Sequence, residues 1–329
     1  MQERCVSVVI ATHNRAHLLE QALACLADQE HRPLEVVVVD DGSCDDTRQR
    51  VSCLSRQWRH DSALALHYRY QRNEGPAVAR NRGMHQAQGD CILFMDDDDL
   101  MAGDAISQLV RALDGRHDAA ISYAGYADTD ADGRTDAQLH LPAPIRSPHA
   151  LLESMIGGSW FVPIHGNLFT RRALERIGPW NRQLSSQEDD EFILRAIMQD
   201  VGFVPAPGAR VYYRQHVGTR RSQPGKPGEW DEPGQIRRLN DDVTIRRLAH
   251  RTLVERGTLL TYRGAFGEWY RRLQSRYGPL LASQGLMTDP LVQWARTAAE
   301  EAPGSSSTRR KAARHEPQAA WPDQNALTA

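Results

Sequence analysis

Apolar positions in the first 126 residues alternate between short unbroken runs and stripes at helical spacing. Cys5-Val-Ser-Val-Val-Ile-Ala11 is a β-branched run of the kind that a strand buried on both faces requires. Ala16 to Asp28 follows with Leu18, Leu19, Ala22, Leu23 and Leu26 on one stripe, which predicts a helix. Leu34 to Val39 reads as the second strand, and Asp45 opens a helix carrying Val51, Leu54 and Trp58. Leu64 to Tyr70 is the next strand, and Pro76 to Ala87 a helix with proline at a tolerated first position. Cys91 to Met95 gives the fourth strand, Asp104 to Leu113 a helix, and Ala119 to Tyr126 a further strand. This alternation predicts βαβ units, hence an α/β fold with a mainly parallel sheet flanked by helices.

The periodicity then stops. Asp128 to Pro148 is polar and punctuated by proline, which predicts a loop. Beyond it, Leu151 to Met155 reads as helical, Asn167 to Thr170 as extended and Arg172 to Ile177 as helical. Gln187 to Gln199 predicts a helix with Phe192, Ile193, Ala196 and Ile197 inward, and Arg210 to Arg214 a strand. Residues 218–233, rich in Gly, Pro, Arg and Gln, read as a flexible loop. Residues 234–301 return to helical periods with breaks near Gly257, Gly278 and Gly285. The tail, 302–329, holds Ser305 to Ser307 and a basic group at Arg309, Arg310 and Lys311, and its composition predicts disorder.

Composition narrows the function classes. The 329 residues hold 40 basic and 42 acidic side chains, a net charge of −2, so no global field draws polyanions and no nucleic-acid partner is expected. The apolar run at Cys5 to Ala11 is too brief for a secretory core or a bilayer span. The five cysteines (Cys5, Cys25, Cys44, Cys53, Cys91) are odd in number and lack zinc-site spacing, and they read as reduced thiols of a cytoplasmic protein.

The chemistry sits at strand ends. In an open parallel sheet, ligands bind beyond the carboxyl ends of the strands, at the switch in strand order. Asp40 and Asp41 directly follow the second strand's apolar run, and Asp96, Asp97, Asp98 and Asp99 the fourth's, so both clusters are expected to face one crevice. Four adjacent carboxylates repel one another, and a divalent cation with hard oxygen ligands, Mg²⁺ or Mn²⁺, relieves this. The alternative is an acidic cap on the following helix, for which one aspartate suffices. Asn73 to Gly83 joins a glycine turn to a proline-started helix, and its Arg80 is open to three readings: phosphate contact, brace for the aspartates, or solvated charge. Glu188-Asp-Asp-Glu191 opens a helix, where acids are commonplace, yet a carboxylate facing the crevice can also serve as a general base. His216 is open to metal or diphosphate contact, or to neither.

Taken in order, these segments resemble the family 2 glycosyltransferases. Val6 to Arg15, Val37 to Thr47, Asn73 to Gly83 and Ile92 to Asp99 look like the family's nucleotide-binding blocks. Gly166 to Arg172, Ile177-Gly-Pro-Trp180 and Gln187 to Phe192 look like its acceptor-side blocks. The resemblance spans about residues 5 to 217 and implies the A-type nucleotide-sugar-dependent fold, Rossmann-like, here with a helical C-terminal extension. It implies a catalytic domain over 1–217, with a nucleotide-sugar half to residue 126 and an acceptor half over 127–217. Asp41 is implied to contact the base, with Thr12 lining the nucleotide. Asp96 and Asp98 are implied as the D-x-D pair, Asp98 as the direct ligand of Mn²⁺ or Mg²⁺, and Asp189 as the catalytic base. Arg80, Asp96 and Asp97 complete the donor-binding candidates, and Asp96 and His216 the metal candidates. Ala11 and His13 depart from the family's usual Pro and Tyr, and Asp97, Asp99 and Asp190 stay as alternatives beside each assigned acid.

The implied reaction is inverting transfer from a nucleoside-diphosphate sugar to a hydroxyl of a glycan or lipid-linked sugar, in surface polysaccharide or glycoconjugate synthesis. Peripheral contact at the inner membrane face through the basic tail is open to such a protein. Two rivals remain: a sugar nucleotidyltransferase, against which Thr12 to Arg15 lacks the glycine-rich loop, and a degenerate scaffold that binds without transfer. Arg214, Arg220, Arg221 and Lys226 are open to two readings, a basic lid over the diphosphate or charges that solubilise a loop; Arg220 and Arg221 read as solvated, Arg214 stays open, and Trp180 reads as core.

Overall fold

The computed structural model describes residues 4–116, 118–134, 138–141, 145, 147–215 and 232–301. They fall into two compact units, one within Met1–Pro142 and Val162–Thr219 and the other within Ala143–Phe161 and Arg220–Ala329. The first unit has strands β1 (Val6–Thr12), β2 (Leu34–Asp41), β3 (Leu64–Gln71), β4 (Cys91–Asp96), β5 (Leu100–Met101), β6 (Ala120–Thr129), β7 (Asn167–Thr170) and β8 (Gly202–Arg214). Its helices are α1 (Ala16–Ala27), α2 (Thr47–Trp58), α3 (Pro76–Gln86), α4 (Ala105–Ala112), α6 (Arg171–Ile177) and α7 (Glu188–Met198). The second unit holds α5 (Pro148–Gly157), α8 (Glu232–Glu255), α9 (Arg263–Ser283) and α10 (Pro290–Glu301).

The eight strands form one sheet in the order β3-β2-β1-β4-β7-β6-β8-β5. β3, β2, β1 and β4 run parallel, whereas β7 runs antiparallel between β4 and β6. The chain winds outward from β1 to β3 and then places β4 on the other side of β1, so the order reverses between β1 and β4. That reversal opens a crevice at the carboxyl ends of these two strands.

Burial explains the strand runs. Val6, Val8 and Ile10 on one face of β1 are fully buried in the larger core cluster with Leu19, Leu23 and Leu26 of α1 and Ile106 and Leu109 of α4. Val37 and Val39 of β2 join Ala79 of α3 in a separate small cluster. α3 can approach closely because position 83 is glycine: a Cβ there would lie 2.3 Å from Val9 Cγ1.

The second unit is helical throughout its described residues outside short turns, and the breaks expected near Gly257 and Gly285 fall at left-handed glycines. The break near Gly278 is a distortion at Tyr277, one residue earlier, ahead of Pro279 inside α9. Arg246 of α8 reaches the carbonyls of Met155 and Ile156 at the end of α5, 3.2 and 3.3 Å away, and Met155 also accepts from the Gly158 amide at 3.2 Å. Among the described residues no helix is long and apolar enough to cross a membrane.

Candidate active site

β1 ends at Thr12, whose hydroxyl donates to Asp97 Oδ2 at 2.7 Å and so ties the β1 and β4 ends together. β2 ends at Asp40 and Asp41. Asp40 accepts from the Ser43 amide at 2.8 Å and from the Tyr68 hydroxyl at 2.5 Å. Asp41, 4% exposed, accepts from Gln71 Nε2 and from the amides of Glu74 and Gly75, each at 2.8 Å. Its carboxylate therefore holds the β3–α3 loop in place. Gly42 permits the close approach: it is left-handed (φ +84°), and a Cβ there would lie 2.8 Å from the Asn73 amide nitrogen. Over this turn His13 sits 2.9 Å from the Asp41 carbonyl, with the side-chain amides of Asn14 and Asn73 at 3.0 and 3.3 Å. The sequence assigns no role to Arg15, Asn14 or Asn73 beyond their place in the first and third blocks.

The four aspartates at the end of β4 divide by burial. Asp97 and Asp99 are buried, and Asp96 and Asp98 are partly exposed at the crevice. Arg15 pairs with Asp97 at 3.2 Å and Asp98 at 2.8 Å. Burial, with repulsion from Asp98, pushes the Asp97 carboxyl up to about 7 against the pull of Arg15 and Thr12. Asp99 accepts from the Arg214 amide at 2.9 Å and faces the fully buried His165 ring at 3.0 Å. Burial works against a protonated His165, but the Asp99 carboxylate outweighs it and raises its proton affinity. Asp96, Asp98 and Asp99 each bring a carboxylate oxygen within 4.8 Å of the others. Three hard oxygen donors suit Mg²⁺ or Mn²⁺, so the donor set fits the implied metal. Asp96 and Asp98 are the pair expected from the sequence, with Asp99 the alternative beside them; His216 lies outside the described residues, as do Arg220, Arg221 and Lys226.

The third acidic group opens α7. Gln187 enters in the left-handed region (φ 56°) and Glu188, Asp189, Asp190 and Glu191 fill the first turn, where the helix dipole favours acids. They separate by partner. Glu191 is buried in a two-pronged pair with Arg195, both contacts 2.8 Å, and serves the helix itself. Glu188 pairs with Arg80 at 2.7 Å. Asp189 is partly exposed, and its Oδ1 accepts from the Asp190 amide at 3.0 Å. Burial, then repulsion from Asp190 and Glu188, pushes the Asp189 carboxyl up to about 7, with Arg80 opposing. Trp180 lies under this turn, 1% exposed and stacked on Phe192 at 4.2 Å, a core position as expected.

The crevice thus gathers Thr12, Asp41 and the β4 acids from one run of strand ends, with α7 joined to them through Arg80 of α3. The profile of Glycosyl transferase family 2 matches residues 7–178, about half the chain. The chain belongs to this family. Among curated relatives, a GalNAc(5)-diNAcBac-PP-undecaprenol β-1,3-glucosyltransferase of Campylobacter jejuni is 35% identical over 106 residues, covering 32% of this chain and 33% of its own. The putative teichuronic acid biosynthesis glycosyltransferase TuaG of Bacillus subtilis is 31% identical over 153 residues, covering 46% of this chain and 59% of its own. The matches thus span from a third to about three fifths of these two relatives. Two solved structures share the fold at 20% identity: S. aureus TarS 1-349 with UDP-GlcNAc (TM-score 0.54, 89% of this chain and 87% of that one) and the Pyrobaculum calidifontis mannosyltransferase PcManGT with GDP-Man and Mn²⁺ (TM-score 0.50, 91% and 85%). The fold is the A-type glycosyltransferase fold, a sheet flanked by helices with a helical C-terminal extension.

Proposed function

We propose that this chain is an inverting glycosyltransferase that moves a sugar from a nucleoside-diphosphate sugar to a hydroxyl of a glycan or lipid-linked acceptor, in surface polysaccharide or glycoconjugate synthesis. The observation that carries the reading is the meeting of the β4 acids and the Asp189 turn around one side chain, Arg80. A displacement of this kind needs a leaving diphosphate neutralised at one end of the crevice and a base at the other.

Asp189 takes the proton of the acceptor hydroxyl, which attacks the anomeric carbon from the face opposite the diphosphate. A carboxyl raised to about 7 is matched to that task, because proton transfer is most effective with a base near the working pH. Thr12 and the Asp41 turn line the donor nucleotide, and Asp96 and Asp97 bound its diphosphate end. Asp98 and Asp96 would hold Mn²⁺ or Mg²⁺, which supplies charge neutralisation to the departing diphosphate when bound. Residues 1–217 form the catalytic domain in this reading. The basic tail near Arg309 offers weak, salt-sensitive contact with an anionic membrane surface facing the cytoplasm.

Thermal stabilisation by nucleoside diphosphates and their sugars, with and without Mn²⁺, tests it. A ligand that binds only the folded state raises the midpoint by mass action. One nucleotide is expected to give a Mn²⁺-dependent rise that Asp98→Ala abolishes. No rise with any donor, in a folded protein, refutes the reading.

A further inference from the structure

We propose that Arg80 is a positioning residue, a bracket that fixes the Asp189 turn against the metal-side acids, and not a ligand of the donor diphosphate. The inference rests on the assignment of Asp189 as base. Arg80 is 6% exposed, and both terminal nitrogens are engaged: Nη2 donates to Asp96 Oδ1 and Nη1 to Glu188 Oε1, each at 2.7 Å. Asp96 closes β4 and Glu188 opens α7, so one planar cation spans two acids that lie 92 positions apart in the chain. The rigid, planar fork of a guanidinium is suited to holding two carboxylates at a fixed spacing.

The neighbouring residues extend the bracket. Asn81 grips the backbone of Trp180 twice, its Nδ2 donating to the carbonyl at 3.0 Å and its Oδ1 accepting from the amide at 2.7 Å. The Arg80 guanidinium lies 4.7 Å over the Trp180 ring, which in turn stacks on Phe192 one turn into α7. Consecutive side chains of α3 therefore fix the segment leading into α7 and the first turn of α7 itself. The Arg80 Nε is buried without a partner, and a diphosphate that drew the two terminal nitrogens away would leave Asp96 and Glu188 without their shared cation.

The arrangement has an electrostatic consequence at Asp189. Among the described residues, the charged groups that act on it most are Asp190 and Glu188 of its own helix, Arg80 from α3 and Asp96 from the end of β4. Arg80 is the one cation among them, so its removal and the removal of Glu188 act on the Asp189 proton in opposite senses.

The test uses Arg80→Met, Arg80→Lys and Glu188→Gln, read by the pH profile of kcat/KM and, independently of activity, by the carboxyl ¹³C titration of Asp189. Arg80→Met is expected to move the midpoint up by about one unit or more, the usual effect of losing a close opposite charge, and Glu188→Gln to move it down. Arg80→Lys keeps the midpoint near that of the wild type while kcat falls roughly tenfold or more, because an ammonium is a point charge without the planar fork that sets the spacing of the two acids. A merely structural role moves Arg80→Met and Glu188→Gln in the same direction or neither, and that result overturns the proposal. So does an unmoved midpoint in Arg80→Met accompanied by loss of nucleoside-diphosphate binding, which makes Arg80 a phosphate ligand. If Arg80→Met does not fold, wild-type kcat in Arg80→Lys, or no downward shift in Glu188→Gln, overturns it equally. Full activity in Asp189→Asn instead defeats the base assignment, and the ¹³C titration still decides the bracket.

Discussion

Replacing Asp41 by alanine removes one acceptor that serves three donors, Gln71 Nε2 and the amides of Glu74 and Gly75, all at 2.8 Å. Hydrogen bonds to a charged group contribute about 1.5–3 kcal/mol each, giving a gross loss of roughly 4–9 kcal/mol. Glu74 is exposed and Gly75 partly so, and their amides regain water when the carboxylate goes. The net loss is therefore at or just below the bottom of that range, roughly 3–5 kcal/mol. At about 2–4 °C per kcal/mol for a unit of this size, the melting midpoint of the sheet unit falls by roughly 6–20 °C. Two compact units need not melt together, so hydrogen exchange should accompany the melting curve and locate the change. The amides of Glu74 and Gly75 are expected to lose protection first. A loss below about 1 kcal/mol, with those amides as protected as in the wild type, refutes the view that Asp41 anchors the β3–α3 loop.

Asp189→Asn is expected to lower transfer by about 10²–10⁴-fold with the fold intact, and wild-type kcat/KM is expected to fall as pH drops below about 7. The stability sign follows from the same shift: a carboxyl whose folded value lies above its unfolded one binds more protons when folded, so its contribution weakens as pH rises from about 4 to about 7. Asp189→Asn should flatten that slope in urea melts across the window, and an unchanged slope removes the claim. His165→Ala strips the buried Asp99 carboxylate of the ring 3.0 Å away and should cost roughly 3–5 kcal/mol in denaturant unfolding, where a change near zero means the pair carries no charge. Gly83→Ala drives a Cβ to 2.3 Å from Val9 Cγ1 and should cost about 1–3 kcal/mol by overpacking, whereas a stabilised variant shows that α3 has slack against β1.

The elements most legible in the sequence were those whose local pattern alone decides them. The buried runs at Val6, Leu34 and Cys91 and the stripe at Leu19 to Leu26 fall within a residue or two of β1, β2, β4 and α1. β5 has only two residues and carries no period to read. The first half of β8 was missed because Pro205 and Pro207 argue against a strand, and the sheet accommodates them where the β6–β8 register shifts between Tyr123 and Gly125. The insertion of β7 antiparallel beside β4 leaves no local trace either, being decided by long-range pairing.

The site divides in the same way. That the β4 acids gather at a crevice followed from their place at a strand end. That Asp97 turns inward to Thr12 and Arg15 and Asp99 to His165 did not, because those partners lie 85, 82 and 66 positions away. Arg80 shows the limit most clearly. Three readings of it were open, and the choice depends on Glu188, which the fold brings alongside from across the sheet unit.

The most direct test of transfer by inversion is real-time NMR of the anomeric proton in the product, formed from the nucleoside-diphosphate sugar that stabilises the protein most and a lipid-linked glycan acceptor. A product of inverted anomeric configuration, formed by the wild type and not by Asp189→Asn, is the expected result. A product that retains the donor's configuration, or one formed equally by Asp189→Asn, contradicts a displacement driven by that carboxylate.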